Sequence, residues 1–186
     1  MMRRFLLLVA GAVAIGAGQW SEPVVLGDSC IPWLGELALV PGRADTVWAV
    51  WGRPAQDYNS FLVARRFASD SWEAVERLTP DSGGLAYPAG ILDDSGRVLV
   101  AYYNGFYPVS GLSEQDSWGI CTVTRTDTGW TRPQLVHERE GFPFDIRLGH
   151  DRWGGIGMVW ERSGGPIPWV GSVMFSRRTP QGWTPR

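Results

Sequence analysis

Past its first eighteen residues, this chain alternates short apolar runs with glycine or polar turns, and the same order of events returns three times. Each round opens on an X-Pro step, at Ile31-Pro32, Tyr87-Pro88 and Phe142-Pro143, where the proline ring holds the preceding residue extended and marks the start of a strand. An apolar run follows, over Leu34 to Val40, Ala89 to Leu92 and Phe144 to Leu148, and then a turn at GRAD, DDSG or HDRWGG. A second run comes at once, TVWAVWG, RVLVAYYN or GIGMVWER, with the alternating or continuous apolar character of a buried strand. After a variable loop, a third strand is predicted in SFLVARRFA, WGICTVTRT and GSVMFSRRT. A short polar turn then leads to a tryptophan.

That tryptophan sets the period. Trp20, Trp72, Trp130 and Trp183 stand 52, 58 and 53 residues apart, an interval that places the chain among repeat architectures with one four-stranded sheet per unit. A buried indole removes about 150–250 Å² from water, a gross gain of about 4–6 kcal/mol, so packing between adjacent sheets is sufficient reason to repeat it. The predicted fold is all-β, with about three four-stranded antiparallel β-propeller blades forming an incomplete ring. The repeats run near 20–71, 72–129 and 130–182 within a domain at 19–186.

Composition supports strands over helices: 11 Trp, 24 Gly and 13 Pro in 186 residues, with 19% charged. No stretch carries a sustained helical period. The formal charge of -2 leaves no basic footprint for nucleic acid and disfavours anionic membranes.

Residues 1–18 stand apart. Arg3 and Arg4 precede an apolar run from Phe5 to Ala17, and Gly16, Ala17 and Gly18 are small, as in a secretory signal peptide. The run is shorter than the roughly 20 residues that span a bilayer. The expectation is export to a periplasmic or extracellular setting, with no membrane span once the signal is removed and a formal charge of -4 after Arg3 and Arg4 leave. Export would permit Cys30 and Cys121, the only cysteines, to pair. Two separate thiols are an equal alternative.

The order of turn, tryptophan, apolar strand, X-Pro step and two further strands resembles the Asp-box (BNR) repeats of sialidase-like β-propellers, over nearly all of 19–186. The box of that family reads Ser/Thr-x-Asp-x-Gly-x-x-Trp, and the versions here are shortened. TRTDTGW keeps Asp127 and Gly129 close to Trp130, SDSW keeps Asp70, and TPQGW has no aspartate. The resemblance implies three arginines gripping a carboxylate, a tyrosine nucleophile with its carboxylate partner, and an aspartate acid/base. The first of those arginines would precede Ile31-Pro32, and Cys30 stands there. A thiol cannot supply a bidentate, permanently charged guanidinium.

Other catalytic signals are thin. Asp81-Ser82-Gly83-Gly84 echoes a serine nucleophile loop, but Pro80 precedes it and His137 and His150 lie in no matching motif, so it reads as a turn. Two histidines in the chain do not make metal-ligand spacing, and His150 with Asp151 reads as a solvated turn. Neither a metal nor a cofactor is expected.

The loops between second and third strands are the candidate functional surface, since the resemblance implies that they share one face with the X-Pro steps. They carry Arg53, Asp57 and Tyr58, then Tyr103, Phe106, Tyr107, Glu114 and Asp116, then Glu161, Arg162 and Trp169. Aromatic rings beside carboxylates and guanidinium groups suit stacking on sugars and bonding to hydroxyls; packing at the loop bases is the competing role. The favoured expectation is an exported module that binds a carbohydrate or an extracellular protein without catalysis of its own. Two alternatives stay open: the amino-terminal part of a glycoside hydrolase whose other residues lie in further blades, and a structural extracellular repeat protein. The last tryptophan segment, QGWTPR, stops inside the repeat. The expectation is therefore either a longer gene product or separate chains associating through open blade edges.

Overall fold

A computed structural model describes residues 23–27, 37–54, 59–79, 82–83, 85–105, 119–138, 142–163 and 171–184. Among them there is no helix. Residues 1–18, Trp20, Cys30 and Ile31-Pro32 lie outside the described residues.

Three antiparallel sheets follow one another along the chain. Blade 1 holds β1 (Ala38–Pro41), β2 (Val47–Pro54), β3 (Asn59–Ala68), β4 (Ser71–Trp72), β5 (Glu76–Arg77) and β6 (Ser82–Gly83). Blade 2 holds β7 (Leu85–Leu92), β8 (Val98–Asn104), β9 (Gly119–Thr126), β10 (Gly129–Trp130) and β11 (Gln134–Glu138). Blade 3 holds β12 (Phe142–His150), β13 (Ile156–Ser163), β14 (Gly171–Thr179) and β15 (Gly182–Trp183). In each blade the strands pair in chain order from the inner strand outward, and in blades 1 and 2 the fourth strand arrives in pieces: β4, β5 and β6 all pair with β3, and β10 and β11 both pair with β9. These are β-propeller blades.

The period of the tryptophans has a local cause. Trp72, Trp130 and Trp183 each begin the outer strand, opposite Phe67, Arg125 and Arg178. Two-residue turns deliver them. In blade 1 the turn residues Ser69 and Asp70 are themselves left-handed, at φ of 50° and 59°, whereas in blades 2 and 3 the positive φ falls on the glycine just after the turn, Gly129 at 136° and Gly182 at 123°. In all three blades the residue after the tryptophan donates its backbone N–H back to the third strand: Glu73 to Arg66, Thr131 to Thr124 and Thr184 to Arg177, at 2.8, 2.9 and 2.8 Å. The shortened box is thus a tight hairpin.

Turns between first and second strands are held by side chains. Asp93 accepts from the backbone N–H groups of Ser95 and Arg97 at 3.0 and 2.9 Å, and Asp151 from those of Trp153 and Gly155, both at 2.8 Å. Burial of Asp93 raises its pKa, but these bonds and the Arg97 guanidinium at 2.8 Å outweigh it, leaving the carboxyl below its ordinary value. His150, at the end of β12, sets Nδ1 3.1 Å from the Gly154 carbonyl across the second of these turns.

Three apolar layers hold the blades together. Trp48, Val50, Leu62 and Ala64 of blade 1 meet Val100, Tyr102, Cys121 and Val123 of blade 2, with Trp130 packed alongside. Ala101, Tyr103 and Ile120 meet Ile146, Met158 and Trp160 of blade 3, with Trp183 alongside. Leu26 covers the other face of blade 1 against Ala49, Trp51 and Val63, with Trp72 alongside. Leu26, Leu78 and Val136 each lie six residues past a tryptophan and join these three layers in turn. The inner strands approach closely at Gly90 of β7, where a Cβ would fall 2.1 Å from Val40 Cγ2 of β1.

Three expectations need correction. Tyr87 before Pro88 is not extended but takes φ of 56°, because β7 bulges there. Ser82 and Gly83 are not a turn; they form β6 against Asn59 and Ser60, where the edge of β3 is free to pair. Tyr103, like Arg53 in β2 and Glu161 and Arg162 in β13, is a strand residue and not a loop residue. It lies in β8 and is 4% exposed, its ring held between blades 2 and 3.

Candidate functional site

The second strands β2, β8 and β13 all run toward the loop-side end of their blades, and the inner strands β7 and β12 start there. At that start both inner strands bulge at equivalent places. Pairing of β7 with β8 shifts between Ala86 and Ala89, and pairing of β12 with β13 shifts between Phe144 and Arg147. Each bulge sets one non-glycine residue in left-handed backbone, Tyr87 at 56° and Asp145 at 51°. Such a conformation costs about 1–3 kcal/mol and persists where surrounding structure imposes it, commonly at ligand sites.

The two bulges present different chemistry. Tyr87 is half-buried and packs on the layer between blades 2 and 3. The Asp145 side chain is 46% exposed and pairs with Arg147 two residues on, so the bulge of blade 3 offers an acceptor and a guanidinium side by side at the inner end of the sheet. Neither residue was among the expected site residues, and Tyr87 was expected only as an extended strand entry. The signal available was a lone aspartate inside the apolar run FPFDIRL and, in blade 2, the X-Pro step itself.

Of the residues anticipated for this face, Arg53, Tyr103, Glu161 and Arg162 can be placed. Arg53 near the end of β2 is half-buried, with its guanidinium carbon 6.0 Å from the centre of the Phe61 ring, and Arg77 lies over the same ring at 4.3 Å. Glu161 is exposed and Arg162 half-buried; on β13 they stand opposite Phe144 and Pro143, beside the Asp145 bulge. The register makes Tyr103, opposite Ala86, the blade 2 counterpart of Glu161. The apolar ring is taken into the core and the carboxylate is left in water. Asp57, Tyr58, Tyr107 and Asp116 lie outside the described residues, as do Phe106, Glu114 and Trp169.

The opposite end of blades 1 and 2 carries an open groove of about 230 Å³ whose lining includes Arg43, Arg66, Arg97 and Arg125. Three of these guanidinium groups are engaged by carboxylates, Arg66 by Glu73 at 3.4 Å, Arg97 by Asp93 and Arg125 by Glu76 at 3.1 Å. Among the described residues no group of three His, Cys, Asp or Glu side chains is arranged to hold a metal. Cys121 is a free, buried thiol whose pKa burial pushes up to about 12, with Tyr102 as its hydrogen-bond partner.

No family model matches this sequence, and no curated protein does. Solved structures do match in shape. A Hadza microbial sialidase superposes with a TM-score of 0.58 at 12% identity, over 79% of this chain and 36% of the sialidase. A Dyadobacter fermentans protein of unknown function superposes with a TM-score of 0.60 at 14% identity, over 84% of this chain and 55% of that one. An α-L-arabinofuranosidase from Podospora anserina, solved in complex with cellotriose, gives 0.50 at 17% identity, over 81% and 48%. The chain therefore spans between about a third and just over half of the length of these proteins. At such identities the likeness is one of fold: the three sheets have the architecture of the β-propellers found in glycoside hydrolases.

Proposed function

We propose that this chain is an exported glycan-recognition module that reads its ligand at the loop-side end of the inner strands. Asp145 is the principal acceptor, flanked by Glu161 and Arg162 on the paired strand β13, with Arg53 at the loop-side end of β2 in blade 1. The observation that carries the reading is the paired bulge: two inner strands hold non-glycine residues in left-handed backbone at equivalent positions, and one of them is an exposed aspartate beside an arginine. A carboxylate and guanidinium groups at an exposed rim suit the hydroxyls of a sugar. The propeller fold shared with sialidase and arabinofuranosidase structures supports the same class of ligand. The sequence expectation adds Asp57, Tyr58, Tyr107 and Asp116 to this surface. Cys30 at the place of the first carboxylate-gripping arginine favours recognition over sialidase chemistry.

Glycan-array binding by the protein lacking residues 1–18 tests the reading. Retention of a defined glycan class is expected, with Asp145→Ala weakening it by about 10-fold or more, the usual consequence of leaving polar partners unpaired. A protein that holds no glycan, or one whose binding ignores both Asp145→Ala and Glu161→Ala, rules the site out. Sugar release from an aryl glycoside by the same preparation would replace recognition with hydrolysis.

A further inference from the structure

We propose that the open groove of blades 1 and 2, at the opposite end from the Asp145 bulge, is a second ligand site that takes the carboxylate or sulfate group of an acidic sugar between Arg43 and Arg66. That the ligand is a sugar rests on the glycan reading above. That it carries an oxyanion rests on the groove alone.

The three turns between first and second strands close in the same way. Gly42, Asp93 and Asp151 donate their backbone N–H groups to the carbonyls of Thr46, Arg97 and Gly155 at 2.7, 2.7 and 2.8 Å, so the three donors hold one equivalent position. In blades 2 and 3 that position is an aspartate, which caps the turn and also neutralises an arginine. Asp93 accepts from Arg97 Nε and Nη2 at 3.0 and 2.8 Å, and Asp151 from Arg177 Nη2 at 2.6 Å. Blade 1 has glycine there. A Cβ at Gly42 would fall 2.0 Å from Thr46 Oγ1, and that hydroxyl secures the turn by donating to the Arg43 carbonyl at 2.7 Å. The blade 1 turn is thus held without a negative charge.

The cation that such a carboxylate would serve is still present. Arg66 and Arg177 are equivalent on the third strands, since the carbonyl of each accepts the backbone N–H of the residue after the outer-strand tryptophan. Arg177 has Asp151, whereas Arg66 shares the groove lining with Gly42. Its contact with Glu73 is 3.4 Å, longer than the roughly 2.7–2.9 Å of a well-formed charged hydrogen bond. Arg43 brings a second guanidinium. Its side chain crosses to blade 2 and lies on Gly96, where a Cβ would fall 2.0, 2.1 and 2.3 Å from Nε, Cζ and Nη2. Among the described residues no carboxylate or carbonyl accepts from that guanidinium.

Two guanidinium groups with unused donors on one groove match the acceptor pattern of a carboxylate or sulfate. The groove, at about 230 Å³, is smaller than the roughly 300 Å³ at which pockets for drug-sized ligands begin, which suits one acidic group and the ring that bears it. Trp48 in its lining is buried, so no aromatic face is offered for stacking and charge is what is read. Asp127 is the carboxylate of that lining and opposes an anion.

Titration calorimetry at constant ionic strength, with inorganic sulfate, trigalacturonate and a heparin-derived tetrasaccharide, tests this. Sulfate carries no sugar and reads the groove alone. Binding of sulfate and of at least one oligosaccharide is expected, and the tighter oligosaccharide tells carboxylate from sulfate ester. Arg43→Gln and Arg66→Gln should each weaken binding by about 10-fold or more, and Asp127→Asn should tighten it by about 2-fold. Gly42→Asp with Thr46→Gly copies the Asp151 and Gly155 pair into blade 1; it should abolish binding in a chain that circular dichroism shows to be folded, because an internal carboxylate then engages Arg66. Sulfate binding without either oligosaccharide would overturn the acidic sugar as ligand. No sulfate binding, or binding that ignores both arginine variants or persists in the folded double variant, would overturn the groove as a site, whatever is found at Asp145.

Discussion

Glu76 of blade 1 accepts the indole N–H of Trp130 in blade 2 at 2.9 Å. The same carboxylate receives Arg125 of β9 at 3.1 and 3.2 Å, so one side chain holds both the third and the outer strand of the neighbouring blade. Trp130 also meets Trp48 edge to face at 5.8 Å, which ties its apolar body to blade 1 and its polar tip to Glu76. Glu76→Ala should lower unfolding free energy by about 1–2 kcal/mol, reduced from the buried limit because the carboxylate is partly wet. Trp130→Phe should cost more, through lost packing as well as the bond. A double-mutant cycle by urea denaturation checks the link, and additive losses would show that the two residues act independently.

Asp93 makes stability depend on acid. Its folded pKa lies below the ordinary aspartate value, so its contribution is complete above the unfolded pKa, about 3.9, and disappears as pH falls through the lower folded value. Asp93→Ala should cost about 2–3 kcal/mol at neutral pH by leaving two backbone donors and Arg97 without their acceptor. The difference from wild type should shrink below about pH 4. Thermal unfolding of both proteins between neutral and acid pH measures it, and a pH-independent difference would exclude the charge as the cause.

The Cys121 thiol, with its pKa pushed to about 12, should resist thiol reagents in the folded protein. In a Cys30→Ser background at mildly alkaline pH, Cys121 is expected to label only after denaturant is added. Labelling of the native protein at the rate of a free thiol would show that the layer between blades 1 and 2 opens readily.

Gly90 sets how closely the inner strands of blades 1 and 2 approach. Gly90→Ala places a methyl group 2.1 Å from Val40 Cγ2 and should destabilise by about 1–3 kcal/mol through overpacking. Val40→Ala in the same chain should recover part of that loss, and equilibrium denaturation of the pair tests the relief.

The order of the first three strands, the hairpin turns between them and the tryptophan period were legible in the sequence because each is local. Gly129 and Gly182 mark the positive-φ residue that follows the hairpin turn in blades 2 and 3; aspartates that cap turns sit in recognisable polar clusters at Asp93 and Asp151. The candidate site was less legible. Tyr87 looked extended because proline restrains its neighbour, and only the bulged pairing with β8 turns that residue left-handed. Tyr103 and Glu161 occupy matching places on β8 and β13, and nothing along the chain reveals that one ring is sealed under the next blade while the other side chain meets water.

That contrast divides what each level of structure determines. By itself the amino-acid sequence determined the β class, the repeat length, the four-stranded unit and the tryptophan at the head of each outer strand, since alternation and turn chemistry act over a few residues. Only the tertiary structure decided which face of each sheet is covered and where the inner strands bulge. Burial is a property of what lies opposite a residue, and what lies opposite is set by another blade rather than by the neighbours in the chain.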